Sequence, residues 1–175
     1  VLCEMLTRGA GDLDSRGLSA ALDNLGVQRS EHVGGMHQTL SGATLAKNLP
    51  AALRLYGDIV LRPHLPADQF DAARAGVEQT VRSMEDEPRQ KVIVELRRRC
   101  YDAPWGLPSE GTLPGLGILE PDDPAAHYRR CFRPNESILG IAGAVDPAEM
   151  IAIVDEVFGE WKRQSPPTFE TAPSG

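Results

Sequence analysis

Two neighbouring side chains near the start of the chain could bind a metal ion or transfer protons. Cys3 and Glu4 lie in segment 1–10, whose apolar residues recur at helical spacing and whose Gly9 supplies a stop. A thiolate and a carboxylate are both zinc ligands. The other two cysteines, Cys100 and Cys131, are far away, so no pair has metal-ligand spacing and the odd number implies no disulfide framework.

Two histidines form a second candidate for metal binding. His32 and His37 flank a Gly-Gly dipeptide at 34–35, which is typical of a hairpin turn, so they could face one another across the hairpin. A cross-strand pair of histidines can bind metal, but no third ligand of suitable type stands nearby. Partly exposed sheet residues are the simpler interpretation.

Composition and charge exclude several classes of function. The 175 residues carry a net charge of −7, whereas a nucleic-acid partner requires a basic face. The only basic cluster, 97–99, is interpreted as a solvated helix face. There is no glycine-rich phosphate loop, no apolar run long enough for a membrane span and no signal-peptide pattern. The composition is that of a soluble protein, and the cytoplasm and the bacterial periplasm both stay open as its location.

The elements that must position these residues predict an α+β fold. We expect a two-layer domain over 1–164, in which helices pack on one face of a mostly antiparallel sheet. Residues 165–175 are rich in Pro, Ser and Thr and are typical of a linker. The strand at 137–144 is apolar throughout and is expected to be buried on both faces. Helices are predicted over 15–25, 48–61, 66–85, 88–100, 122–132 and 147–161, and strands over 27–33, 36–44 and 137–144.

Three segments together resemble the insulinase/pitrilysin family of zinc peptidases. That family carries an inverted His-x-x-Glu-His motif on a helix that runs into Met-Leu-x-[Arg/Lys]-Gly-[Thr/Ala], and a distal Glu ligand on a helix that ends in Glu-Asp-x-Pro. The resemblance covers nearly the whole chain. In the family, one or two strands precede the motif helix, so the first strands and the start of that helix are expected to be missing here. The matching segments are Met5-Leu6-Thr7-Arg8-Gly9-Ala10, Glu85-Asp86-Glu87-Pro88 and the tail that runs from Arg133-Pro134-Asn135 to Val145-Asp146-Pro147.

When the motif is aligned on these segments without a gap, the zinc site is lost. The catalytic Glu falls on Cys3, the second His on Glu4 and the distal Glu on Thr80, while the first His falls one residue before Val1. These residues offer neither three good ligands nor a general base. The resemblance therefore implies a non-catalytic member of the family, without the zinc that the family uses.

The resemblance also implies a substrate site on an exposed strand edge. In the family, the first strand after the motif helix binds a substrate peptide as an added strand, through main-chain hydrogen bonds. Here that strand is polar throughout, and an edge whose charges block unwanted strand pairing is the alternative interpretation. The residues concerned are Gln28, Arg29, Ser30, Glu31 and His32.

Three functions follow from these patterns. In the first, the chain is a structural and substrate-holding half that packs on a catalytic insulinase-like half or subunit, or on itself. A second is an active zinc peptidase with shifted ligands such as Cys3 and Glu4, whose general base would be Glu31, Glu78 or Glu85. A third is a module that binds extended peptides without a catalytic partner.

Overall fold

The computed structural model describes residues 1–35, 37–135 and 137–165, without the side chain of Glu85. The predicted linker therefore lies, apart from Ser165, outside the described residues. Single turns of 3-10 helix span Ala46–Asn48 and Ala67–Gln69. In chain order the elements are α1 (Leu2–Leu6), β1 (Gly9–Ala10), β2 (Leu13–Asp14), α2 (Ser15–Asn24), β3 (Gln28–Val33), β4 (Gln38–Ala43), α3 (Leu49–Leu61), α4 (Phe70–Asp86), α5 (Pro88–Cys100), α6 (Leu113–Gly117), α7 (Asp123–Cys131) and α8 (Pro147–Phe158).

Strands β3 and β4 form an antiparallel hairpin whose connecting loop is longer than predicted. Their register runs from Gln28 opposite Ala43 to Val33 opposite Gln38. Four residues, 34–37, connect the strands, and the Gly34 amide donates to the His37 carbonyl at 2.8 Å. The predicted two-residue Gly-Gly turn is therefore wrong, because the pairing ends at Val33 and Gln38 and leaves His37 in the loop.

One face of the hairpin packs on helices, which gives the expected α+β arrangement. The Tyr56 hydroxyl on α3 donates to the Ser41 carbonyl on β4 at 2.7 Å. On the same face, the Arg29 guanidinium of β3 donates to the Ser19 hydroxyl of α2 at 2.9 Å. Because side chains alternate across a strand, Gln28, Ser30 and His32 lie on the opposite face.

The largest core cluster joins the first three helices. Leu6, Leu18, Leu22 and Ile59 are at most 2% exposed and pack together with the strand-turn residue Ala10. Since these side chains recur at helical spacing on α2 and α3, each helix presents a continuous apolar stripe to the others. The side chain of Asp14 caps α2 by accepting from the Gly17 amide at 2.7 Å.

A second contact fixes α1 against α4. Met5, Phe70 and Ala73 form a small cluster in which each residue is at most 1% exposed. Helix α4 begins at Phe70 rather than at Pro66, because a turn of 3-10 helix precedes it. This cluster fixes the position of the opening helix, which carries Cys3.

Helix α8 covers the outer side of α3. Met150 and Ile153 pack on Leu53, and a Cβ at Gly57 would collide with the Val157 side chain, so the two helices approach closely at this glycine. The α8 N-terminus is capped by Asp146. Helices α5 and α8 begin at Pro88 and Pro147, as their sequence signals predict.

The strand predicted at 137–144 does not form. Ile138 is 96% exposed and Leu139 is 50% exposed, and the backbone of residues 138–144 makes no hydrogen bond to the backbone of another described residue. An apolar run becomes a buried strand only where neighbouring strands accept its amides and carbonyls, and the described residues supply no such neighbours. The prediction of a strand buried on both faces is therefore wrong for this structure.

Candidate functional site

The opening helix places Cys3 against the hairpin, among polar neighbours. Burial raises the pKa of the Cys3 thiol above its usual 9.0, and the carboxylates of Glu31 and Glu4 raise it further. The buried side-chain amide nitrogen of Gln38 lies beside this thiol and makes no hydrogen bond to nitrogen or oxygen within the described residues. The thiol is therefore protonated at neutral pH, which makes it a poor nucleophile and a poor metal ligand.

The Glu31 carboxylate also acts on a second buried group. Burial raises the pKa of Tyr56 above 10.0, and Glu31 adds to the rise. Glu31 thus lies close enough to both Cys3 and Tyr56 to act on their pKa values. Neither neighbour donates to it in a hydrogen bond of the described structure. This arrangement keeps the phenol and the thiol neutral and supplies no group that could share a proton with the carboxylate.

Thr80 lies on α4, about two helical turns beyond Ala73 in the α1–α4 cluster. It is exposed, and its hydroxyl donates to the Gly76 carbonyl at 3.2 Å within the same helix. The motif alignment predicts a distal zinc ligand at this position, and such a ligand requires a carboxylate. The Thr80 hydroxyl does not supply one. Glu4, at the other motif position, is also exposed.

The side chains at the motif positions do not fit a zinc ion. Over residues 1–35, 37–135 and 137–165, no three His, Cys, Asp or Glu side chains converge in a way that could hold a metal. The groups that act on the Cys3 thiol are the carboxylates of Glu31 and Glu4, the N-terminal amine and the side-chain amide of Gln38. Structural and catalytic zinc sites need at least three protein ligands, so no step of a metal-assisted reaction can be derived from these residues.

The other proposed general bases have different surroundings. Glu78 lies between Arg74, at 3.8 Å, and Arg82, at 3.7 Å, on the surface of α4. The Glu85 side chain lies outside the described residues. The two histidines do not meet, because His32 pairs with Thr39 and the His37 ring lies against Gly34 in the loop.

The polar strand edge predicted as a peptide site is open. Every residue from Gln28 to His32 is exposed, and β3 pairs with β4 on one side only among the described strands. Its other edge presents amides and carbonyls at the spacing of a strand. An extended peptide could therefore pair with this edge through main-chain hydrogen bonds.

A cavity of about 200 Å³ lies at the tip of the hairpin, next to this edge. Its lining combines His32 and Gly34 from the hairpin with Met84, Ile93 and Arg97 from α4 and α5. Sequence patterns did not reveal it, because its walls come from segments about 60 residues apart. The only available signal was the apolar run 92–94 inside a helix rich in arginine.

A thiol–imidazole pair lies on α7, which packs on the opening helix α1. The Cys131 sulfur is 3.8 Å from His127 Nδ1, and the Arg130 guanidinium is 3.2 Å from the same nitrogen. Burial lowers the pKa of His127, and Arg130 lowers it further. The imidazole is thus neutral at pH 7.

The chain is similar in sequence to proteins described as zinc proteases. No protein-family model matches it. A protein of Mycobacterium bovis described as an uncharacterized zinc protease is 25% identical over 154 residues, which are 87% of this chain and 34% of that protein. A Streptomyces coelicolor protein with the same description is 21% identical over 88% of this chain and 34% of its own length. The chain thus spans about a third of the curated relatives it matches.

Solved structures show the same fold. A peptidase M16 inactive domain from Pseudomonas fluorescens matches with a TM-score of 0.82 at 16% identity, over 99% of this chain and 43% of that one. The periplasmic protease PqqL of Escherichia coli matches with a TM-score of 0.80 at 14% identity, over 99% and 20% of the two chains. Pitrilysin matches with a TM-score of 0.78 at 15% identity, over 98% and 19%.

The chain is similar in sequence to proteins described as zinc proteases and similar in fold to peptidases of the insulinase/pitrilysin type. The resemblance inferred from the motif run and the tail is confirmed, and so is the α+β fold of a peptidase half. Cys3, Glu4 and Thr80 are the residues that the alignment of the zinc motif predicts at its positions. None of the helices in the described ranges is long and apolar enough to cross a membrane.

Two side chains near Cys3 could not be predicted from the sequence. Gln38 begins β4 and Tyr56 lies in the middle of α3, yet both reach the space around Cys3 and Glu31. Neither position belongs to a motif, and only the hairpin register together with the docking of α3 brings them there.

Proposed function

We propose that this chain is a non-catalytic half of an insulinase-type zinc metalloendopeptidase. It would shape the substrate chamber and hold an extended peptide beside a catalytic half or subunit. The non-catalytic role is supported by the chemistry of the predicted motif positions. Their residues, Cys3, Glu4 and Thr80, provide neither three zinc ligands nor a general base. Residues 1–164 would form one domain, with 165–175 as the connection to the next.

The open edge of β3 supports the substrate-holding part of this proposal. All five residues from Gln28 to His32 are exposed, so a peptide can reach the strand backbone without displacing a core side chain. Main-chain pairing makes little demand on sequence, as a peptidase chamber that accepts varied peptides requires. A peptide module without a catalytic partner shares this observation and is the alternative function.

The likeness to longer proteins supports a partner half. The chain covers between 19% and 43% of the matched structures described above, and the Pseudomonas fluorescens structure is itself named an inactive domain. Either a catalytic half or a second copy of this chain would supply the other wall of the chamber. Exposed apolar side chains on α5 and at Ile138 offer surface for such a contact.

Metal content is the first test of the non-catalytic role. We expect elemental analysis of the purified protein to give far less than one zinc per chain, and we expect no cleavage of an unfolded casein peptide that 1,10-phenanthroline inhibits. The Cys3→Ser variant is the matched control, because any adventitious zinc on other side chains stays unchanged in it. Stoichiometric zinc that is lost with Cys3, together with chelator-sensitive cleavage, would instead establish an active peptidase with shifted ligands.

A restoration experiment examines the alignment itself. The triple variant Cys3→Glu, Glu4→His, Thr80→Glu recreates the base and two of the three ligands, while the first motif His falls before Val1. With two protein ligands we expect zinc binding to stay substoichiometric at micromolar metal. Tight binding of one zinc per triple variant would show that another side chain completes the site.

A further inference from the structure

Helix α5 differs from the other long helices in having no buried residue. Val92 is 67% exposed, Ile93 46% and Leu96 59%, although apolar residues of a soluble helix normally face a core. The helix packs on α4 and leaves this apolar surface open. A surface of this kind marks a binding site more often than scattered apolar residues do.

The same helix is basic in an acidic chain. Its 13 residues hold five of the 18 Lys and Arg residues and one acid, a formal charge of +4 in a chain of −7. Arginines in the last turn stabilise the helix through its dipole, which explains their position. The dipole does not explain the exposed apolar residues one turn before them.

The arginines divide into two groups by what they contact. Arg98 and Arg99 donate to Glu95 at 2.8–3.1 Å, whereas Arg97 lines the cavity at the hairpin tip. The cavity walls next to Arg97 are the apolar side chains of Met84, Ile93 and Val94. Glu110 on the facing loop is the acid in the cavity lining.

The cavity continues the open edge of β3. His32, whose side chain lies on the face opposite Glu31, contributes to its wall, and the loop glycines leave room beside it. A strand rises about 3.3 Å per residue, so a peptide paired along β3 that extends one or two residues past His32 enters this space. Side chains alternate, so every second peptide side chain lies on the cavity side.

We propose that α5 and the hairpin tip form a side-chain pocket for an extended peptide in which a large apolar residue is followed by an acidic one. This inference rests on the proposed peptide-holding function. A volume of about 200 Å³ is smaller than small-molecule sites of about 300–1,000 Å³ and suits one side chain. Glu110 disfavours a carboxylate inside the cavity, so the apolar side chain enters it and the carboxylate binds the exposed Arg97.

Fluorescence anisotropy with four labelled peptides tests this pocket. All four share one strand-forming segment and differ only at the end: Leu-Asp, Leu-Asn, Leu-Lys and Ala-Asp. We expect Leu-Asp to bind about fivefold tighter than Leu-Asn at low salt, as an exposed ion pair permits. Binding should fall about tenfold from Leu-Asp to Ala-Asp, because a buried apolar side chain is lost.

Two arginine variants separate the pocket from the general charge of the helix. Arg97→Gln should remove the preference for Leu-Asp over Leu-Asn, whereas Arg98→Gln, which removes the same charge from the same helix, should keep it. Equal loss in both variants would show that only net charge matters and would overturn the pocket. Circular dichroism of both variants checks that the helix content is unchanged.

The remaining outcomes distinguish this inference from the proposed function. If all four peptides bind equally, peptide holding stands and the pocket is wrong. If none binds, substrate holding itself fails, and the pocket with it. If vesicles of phosphatidylglycerol and phosphatidylcholine bind the protein through Arg97 while the peptides do not, α5 is a lipid-binding surface and the pocket is overturned.

Discussion

Removing the Phe70 ring should loosen the helix that carries Cys3. Phe70 is 1% exposed and packs on Met5 and Ala73, which are fully buried. Its burial removes about 200 Å² of aromatic surface from water, worth about 5 kcal/mol at 25 cal/mol per Å². Measured Phe→Ala changes in cores cost about 3–5 kcal/mol, so we expect a loss of that size in Phe70→Ala.

The assay is urea unfolding followed by circular dichroism, with two variants beside Phe70→Ala. A loss of 3–5 kcal/mol is a large part of the total stability of a domain, about 5–15 kcal/mol, so Phe70→Leu provides a milder change of about 1–2 kcal/mol. The Arg74 guanidinium lies 5.4 Å from the ring centroid, and Arg74→Gln measures that contact separately, at about 0.5–1 kcal/mol.

The local readout is the alkylation rate of Cys3, measured by mass spectrometry. Because α1 is held on α4 through this cluster, the rate should rise in Phe70→Leu and stay unchanged in Arg74→Gln. If Phe70→Ala costs no more than Arg74→Gln, the cluster does not hold α1 in place, and the reasoning is refuted.

Three further predictions concern single side chains. Asp146→Ala should cost about 1 kcal/mol in urea unfolding and Asp146→Asn much less, because the side chain accepts from two amides at 2.8 and 3.0 Å; equal losses would contradict its role as a cap. Cys3 should react with iodoacetamide at pH 8 more slowly than the exposed Cys100. Glu31→Gln should speed the reaction of Cys3, because it removes a carboxylate that raises the Cys3 pKa. A slower reaction of Cys3 in Glu31→Gln would be inconsistent with that cause. Hydrogen bonds from Arg98 and Arg99 lower the pKa of Glu95 to about 2. Its ion pairs are therefore complete above pH 4.5 and are lost as the pH falls towards 2. An NMR titration of the Glu95 carboxyl carbon with a midpoint near 4.5 would show that these bonds do not persist in solution.

Local signals predicted the helices well. The Pro88 start of α5 follows from proline chemistry, which acts within a few residues. The Asp146-Pro147 start of α8 and the Gly26 stop of α2, with φ +63°, have the same basis. Such signals need no knowledge of the rest of the fold.

Long-range pairing was the part that the sequence left open. Residues 137–144 have the composition of a buried strand, yet the described structure offers them no partner. His32 and His37 were expected to face one another, but the register pairs His32 with Thr39. The motif positions Cys3 and Thr80 could be located by alignment alone, whereas the neighbours of Cys3 depend on how α3 and the hairpin dock.

The segment from Ile138 to Ala144 limits the concentration at which this protein stays in solution. Open amides and carbonyls next to apolar side chains are a template for cross-β stacking between copies. The glycines at 140 and 143 slow such stacking, since they weaken strand formation. Precipitation of concentrated samples should therefore begin at this segment, and a charge at Ile138 should raise the concentration that the protein tolerates.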